Sequence, residues 1–357
     1  MKMTPLVVLF GSTLILFSVI IANVFMPVFL VPAKPSVNAV PYTPLELRGR
    51  EVYIANGCVY CHTQNVRPMD WGEGSGQASQ PGDYAYDSPN LFGQHRTGPD
   101  LAREGGYHTD DWHWAHFEDP RYTRPQSLMP SFKFIKGEDR IALIAYIQCL
   151  GGRTSQARAA EQRALKATLI KYYQLGPAQN VAYLNSTLPK GWLEMPNPEP
   201  VTQGAVERGR AVYVAYCVGC HGGNGDGRGA AKPYLNPPPM DFTLLQASGA
   251  NPSTAEPGYK YDYKTNRVSV LNNGAIYYAV LNGLPGSAMP AFKGQLESEK
   301  IWDVGDYIGW AFMGWKLQPT KGEYQEISKA NTPAQTESLR PDLSILQPTV
   351  ESPKGRS

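Results

Sequence analysis

The chain has 357 residues, 42% hydrophobic and 18% charged, with a formal net charge of +2. That length suits two domains of ordinary size plus extra segments, each able to bury a core, and the near-neutral charge argues against a nucleic-acid partner. Its 31 prolines and 35 glycines point to loop-rich domains rather than long regular layers.

Leu6 to Val31 is an uncharged run of 26 residues, about 39 Å as a helix and so long enough to cross a bilayer with some tilt. A secretory signal has a shorter apolar core that ends in small residues. This run ends in the bulky Val28-Phe29-Leu30-Val31-Pro32, which reads as an uncleaved anchor. Lys2 favours a cytoplasmic amino terminus. Ser18, Ala22 and Asn23 are candidates for contact with a neighbouring membrane helix, with a lone anchor as the alternative.

Residues 33–46 form a proline-bearing tether, and Leu47, Val52, Tyr53 and Ile54 suit a short helix ending near Gly57. Then comes Cys58-Val59-Tyr60-Cys61-His62, and the same pattern returns as Cys217-Val218-Gly219-Cys220-His221. C-x-x-C-H is the pattern of covalent haem attachment: two thiols bond the porphyrin vinyls and the histidine is an axial iron ligand. The flanks repeat as well. Arg48-Gly49-Arg50-Glu51-Val52-Tyr53 matches Arg208-Gly209-Arg210-Ala211-Val212-Tyr213. Met129-Pro130-Ser131-Phe132-Lys133 and Met289-Pro290-Ala291-Phe292-Lys293 lie 67 and 68 residues past their histidines. One domain used twice predicts two covalently bound haem c groups, with Met129 and Met289 opposite His62 and His221.

Between these landmarks, Thr63 to His95 carries four acids against one arginine; it is too polar and turn-prone for core and is expected to be a partner-contact loop. Thr109 reads as the N-cap of a helix bearing Trp112, Ala115 and His116 on one face. Gly137–Leu150 is a helix with Ile141, Ile144 and Ile147 at helical spacing, and Ser298–Phe312 is its counterpart. Thr154–Leu175 is expected to be helical, its basic residues forming a solvated face. The parts are an anchor (1–32), tether (33–46), first unit (47–152), helical and Pro-rich linker (153–204), second unit (205–317) and disordered tail (318–357).

An iron held by His and Met has its strong positions filled and passes single electrons. Met69 and Met240 are weaker rivals as ligands. Among His95, His108, His113 and His116, a replacement for Met129 is the minor alternative to packing at a haem edge. Zinc is the competing use of the cysteines, but His113-x-x-His116 does not complete a finger pattern. Arg96 is a candidate propionate partner, with a surface arginine as the alternative. Cys149 sits in an apolar helix as a core residue.

Residues 49–53, Cys58 through Pro68, Arg96-Thr97-Gly98-Pro99-Asp100-Leu101-Ala102-Arg103, Asp110-Asp111-Trp112-His113 and Met129-Pro130 together resemble the membrane-anchored monohaem subunit (subunit II, FixO/CcoO) of cbb-type haem-copper oxidases. Residues 205–316 resemble a class I cytochrome c domain of the kind found in subunit III (FixP/CcoP). The resemblance implies a mainly α fold: one transmembrane helix followed by two class I cytochrome c domains on the periplasmic side of the inner membrane. It implies a non-catalytic role, passing electrons from a soluble cytochrome c or a quinol-oxidising complex to a catalytic haem-copper oxidase subunit. By resemblance to small cytochromes c, the Pro99 carbonyl would accept the ring N–H of His62, and one of Pro237 to Pro239 would do so for His221. The alternatives are an electron-transfer subunit of a nitric oxide reductase or other quinol-oxidising complex, and a dihaem peroxidase or sulfur-compound dehydrogenase.

Overall fold

The computed structural model describes residues 4–30, 34–67, 78–93, 96–187, 200–247, 259–262, 267–270 and 273–318. The expected tail therefore lies outside the described residues from position 319 onward, as do His95, Met69 and the proline-rich 188–199 stretch. The architecture is mainly α.

The apolar run forms α1 (Pro5–Ile20), a π-helical turn (Ile21–Phe25) and α2 (Met26–Leu30). Thr4 caps the start by accepting from Val7 N, and Pro5 fills the first turn, where its missing N–H leaves nothing unpaired. Pro27 removes a donor further on, and the wide turn just before it absorbs the clash of its ring with the preceding carbonyls. The Asn23 amide, expected to face another helix, donates to Val19 O at 3.0 Å within its own helix.

Each unit is built on a crossing of its first and last helices. In the first, α3 (Pro44–Ala55) meets α6 (Gly137–Cys149). The sequence dictates where they touch. A Cβ at Gly49 would lie 1.9 Å from Ala142 O, so only a bare backbone fits there. Val52 and Tyr53 follow on the buried side, the Tyr53 ring 5.3 Å from that of Tyr146. α3 begins in a capping box: Glu46 N donates to Thr43 Oγ1, and Thr43 N to Glu46 Oε2 at 2.6 Å. Removing that hydroxyl as Thr43→Ala should destabilise the first unit by about 1 kcal/mol in denaturant unfolding. Leu47 and Ile141, placed with the core by their spacing, are instead half exposed, while Ile144 and Ile147 are buried.

The second unit repeats the crossing. Here α9 (Gln203–Tyr216) packs on α12 (Ser298–Met313), as does α11 (Asn273–Asn282). A Cβ at Gly209 would lie 1.9 Å from Asp303 O, and the Tyr213 and Tyr307 rings are 5.3 Å apart. The second unit also holds three short strands that the sequence reading did not anticipate: β1 (Leu245–Ala247), β2 (Tyr259–Asp262) and β3 (Arg267–Val270). They are ordered β1-β3-β2, with β3 parallel to β1 and antiparallel to β2.

Three expectations change in the first unit. The described parts of the 63–95 insertion are partly core: Tyr84 and Leu91 join it and Asp87 is buried, while Tyr86 and Phe92 stay exposed. The Asp87 carboxylate accepts from Tyr42 Oη at 2.5 Å and Gln64 Nε2 at 2.5 Å and pairs with Arg50 Nε at 3.4 Å, so a polar stretch is folded inward around one satisfied anion. Thr109 is the N-cap residue of α4 (Asp110–Glu118), as expected, but its hydroxyl makes no capping bond and is buried. The basic helix is α7 (Gly152–Gln174), followed by α8 (Pro177–Thr187). Its charge is not simply solvated: Arg158 donates to the carbonyls of Arg103 and Gly105, Arg163 pairs with Asp110 at 2.8 Å, and Lys166 pairs with Asp111 at 2.5 Å. The acids at the start of α4 thus answer both its own dipole and the cations of α7.

Candidate haem centres

Both C-x-x-C-H motifs follow directly on the first helix of their unit. Cys58–Tyr60 is a 3-10 turn, and Val218–His221 is a short helix, α10. The tyrosine that ends each R-G-R-x-V-Y block ties that helix to the motif: Tyr53 Oη donates to His62 O at 2.9 Å, and Tyr213 Oη to Gly222 O at 2.7 Å. The repeated block is thereby explained position by position, glycine for the crossing, valine for the core and tyrosine for the motif.

His62 Nδ1 lies 2.9 Å from Pro99 O. Gly98 underlies the ring so closely that a Cβ there would come within 2.3 Å of His62 Cε1. In the second unit the carbonyl facing His221 Nδ1 belongs to Met240, at 3.1 Å, and not to any of Pro237 to Pro239. Which carbonyl arrives is decided by the path of the loop, and here Gly225 O accepts from Phe242 N at 2.7 Å, drawing residue 240 to the ring. Burial lowers the proton affinity of His62, against the pull of the Pro99 carbonyl, and lowers that of His221 to about 4. With Nδ1–H committed to a carbonyl, each neutral ring keeps its lone pair on Nε2, the nitrogen free to bind a metal.

Cys58 and Met129 pack on the core of the first unit, and Cys217 and Met289 on that of the second. The two methionine loops have one geometry. Met129 N donates to Ser127 Oγ at 3.2 Å and Met289 N to Ser287 Oγ at 3.1 Å. Phe132 N donates to Phe117 O and Phe292 N to Val280 O, each at 3.0 Å. The serine was legible in the sequence as a repeated S-x-M-P but was passed over. Replacing it as Ser127→Ala or Ser287→Ala should loosen the methionine seat by about 1 kcal/mol, the worth of one such bond, measured as a rise in the fraction of reduced protein that binds carbon monoxide.

Arg96 is buried. It donates from Nη2 to Thr63 O at 2.6 Å and Asn65 O at 3.3 Å, and its Nη1 pairs with Asp100 at 3.5 Å. The surface-arginine alternative is thus replaced by one that fastens the loop after the motif. His108, His113 and His116 belong to α4 and the residues before it. His108 Nδ1 contacts Glu104 Oε1, His113 Nε2 is 3.7 Å from the same oxygen, and His116 Nδ1 meets Thr123 Oγ1 at 2.6 Å. Trp112 stacks between His108 and His116. Burial keeps His113 neutral down to about pH 4 and lowers His116 further. Among the described residues, no group of three or more His, Cys, Asp or Glu side chains is placed to hold a metal ion. Cys149 is in the core, its thiol donating to Tyr146 O.

Residues 2–141 match the family model described as cytochrome c oxidase, mono-heme subunit/FixO, and residues 204–308 match cytochrome c oxidase, cbb3-type, subunit III. The chain joins a FixO segment to a cbb3-type subunit III cytochrome domain. No curated protein matches. Among solved structures, the chain is similar to a Kuenenia stuttgartiensis reducing HAO-like protein complex, at 18% identity over 76% of this chain and 96% of that one. The TM-score is 0.24, and that likeness carries no argument.

The two matches imply covalently bound haem c and electron transfer in a cbb3-type oxidase, in association with a catalytic oxidase subunit. Pro5–Phe25 is long and apolar enough to cross a membrane, with none of it buried, and anchors the FixO segment by a single pass. The residues present fit a haem. In the first unit, Arg96 Nε is buried without a hydrogen bond, and Nη1 has only its 3.5 Å pairing with Asp100, donor capacity that a carboxylate of the cofactor would use. Each unit offers two thiols and one imidazole held by a carbonyl, with a thioether packed on the same core as one of the thiols.

Proposed function

We propose that the chain is a dihaem electron relay. The second unit takes electrons from a soluble cytochrome c or a quinol-oxidising complex, and the first passes them to the catalytic oxidase subunit. The observation that carries this reading is the duplication of geometry: in each unit a tyrosine hydroxyl holds the motif, a carbonyl holds Nδ1 of the histidine, and a serine hydroxyl holds the methionine loop. Cys58 and Cys61 would anchor one haem between His62 and Met129, and Cys217 and Cys220 the other between His221 and Met289. When bound, each group supplies reversible one-electron chemistry at an iron whose strong positions are filled. The protein contributes by fixing both ligands and by keeping the imidazoles neutral. A dihaem peroxidase needs an open iron position, and the paired methionine seats speak against one.

The order of transfer follows from the anchor. The first unit is tied to the membrane helix and so to the plane of the catalytic subunit, with both units on the periplasmic side. Haem staining of the denatured chain and a pyridine haemochrome assay should give two haems per chain. A His221 variant that keeps the first haem should lose electron uptake from the donor while still exchanging electrons with the oxidase. Unimpaired uptake rejects the order.

A further inference from the structure

The two units touch through the attachment motif of the second. A Cβ at Gly219 would lie 2.1 Å from Tyr122 O, so the C-x-x-C-H segment is seated backbone to backbone on α5 (Pro120–Thr123) of the first unit. Cys220 Sγ is 3.9 Å from the same carbonyl. Ala115, Ala231 and Leu235 close a small apolar cluster across the seam. Tyr107 Oη donates to Ala291 O at 2.8 Å, and Gln295 Nε2 to Tyr107 Oη at 2.6 Å.

The residue after α5 is Arg124, and it points into the other unit. Its guanidinium carbon lies 5.8 Å from the centre of the Tyr216 ring and 5.7 Å from that of Phe292. Tyr216 immediately precedes Cys217, and Phe292 follows Met289 by three residues, so the cation sits between the two ends of the second unit's ligand set. The two rings meet edge to face at 5.9 Å, and Arg124 Nη2 donates to Gln295 Oε1 at 2.8 Å. Among the described residues no carboxylate forms an ion pair with it. A cation–π seat and one neutral amide hold the charge, and the Glu104 carboxylate acts on it without a described ion pair.

We propose that Arg124, a residue of the FixO segment, sets the reduction potential of the haem in the other unit. The inference rests on the dihaem reading. A fixed positive charge in a partly buried site disfavours ferric iron, which carries one more positive charge than ferrous, and so raises the potential. Burial lowers the guanidinium's own proton affinity, against the Tyr107 and Tyr216 side chains and the Glu104 carboxylate, but an arginine stays protonated throughout the working range. The second unit then draws electrons at the potential measured in the chain only while it is docked on the first.

Redox titration of the full, detergent-solubilised chain, followed at the haem bands, tests this. A Met289→Ala chain identifies which component belongs to the second unit. Arg124→Gln is expected to lower that component's equilibrium for reduction by about tenfold, ~59 mV for one electron, with the first component unmoved. Arg124→Lys should restore most of the shift. Tyr107→Phe, which removes two seam hydrogen bonds and keeps the charge, should leave both components where they are. A second component unmoved in Arg124→Gln, equal movement of both components, or an equal shift in Tyr107→Phe overturns the role of Arg124. A chain carrying a single haem overturns the dihaem reading itself.

Discussion

Gly49→Val and Gly209→Val should each cause the largest stability loss of any single substitution in their unit. An added Cβ at Gly49 would stand 1.9 Å from Ala142 O and 2.7 Å from Tyr146 Cβ; at Gly209 it would stand 1.9 Å from Asp303 O and 2.9 Å from Tyr307 Cβ. These obstacles are helix backbone and the first side-chain carbon, neither of which can rotate away. The helices must move apart, and the tyrosine pairs beside each crossing, at 5.3 Å, open with them. Overpacking commonly destabilises by about 1–3 kcal/mol where side chains can yield. Here they cannot, and a loss of about 4 kcal/mol or more is expected, in the range reserved for gross core disruption. Thermal unfolding followed by Soret circular dichroism measures it. Melting within two or three degrees of the parent chain, about 1 kcal/mol at this size, would show that the helices do not cross as described.

The second large effect is chemical. Met129→Ala and Met289→Ala should each abolish the near-infrared thioether-to-iron absorption of one haem and open that iron to carbon monoxide, leaving the other unit's spectrum intact. Electron delivery to the oxidase should fall about tenfold or more, at least ~1.4 kcal/mol on the limiting barrier. The expectation differs from a packing effect because both methionines are only partly buried, on the rim of their cores, and truncating them leaves little cavity. An unchanged spectrum in either variant removes that methionine from the site.

Much of this was legible in the sequence because the chain states it twice. The R-G-R-x-V-Y block, the C-x-x-C-H motif and the M-P-x-F-K block fall in the same order in both units, and the helices before and after them follow from spacing. What escaped the reading has physical reasons. Met240 could not be picked out as the partner of His221, because any residue offers a carbonyl and only the loop path decides which one arrives. Asp87 reads as part of a polar loop until its partners are known, and Tyr42 lies 45 residues away. The basic face of α7 looks solvated in sequence because Asp110 and Asp111, which answer Arg163 and Lys166, belong to a different helix. The three strands are only three or four residues long, too short for an alternating pattern to declare itself.

The stretch between anchor and first unit has a consequence for reach. It was expected to be a free tether over 33–46, yet Ser36 N donates to Gly82 O at 2.9 Å and Arg153 N donates to Asn38 O at 2.8 Å. Only six Cα steps separate Leu30, at the end of α2, from Ser36, and six steps span at most about 22 Å. Within the proposed relay, the first unit is therefore leashed within about 22 Å of the anchor's end, and its acceptor would have to come alongside in the plane of the bilayer, which turns the problem of finding it from diffusion in three dimensions into lateral assembly of neighbouring membrane helices.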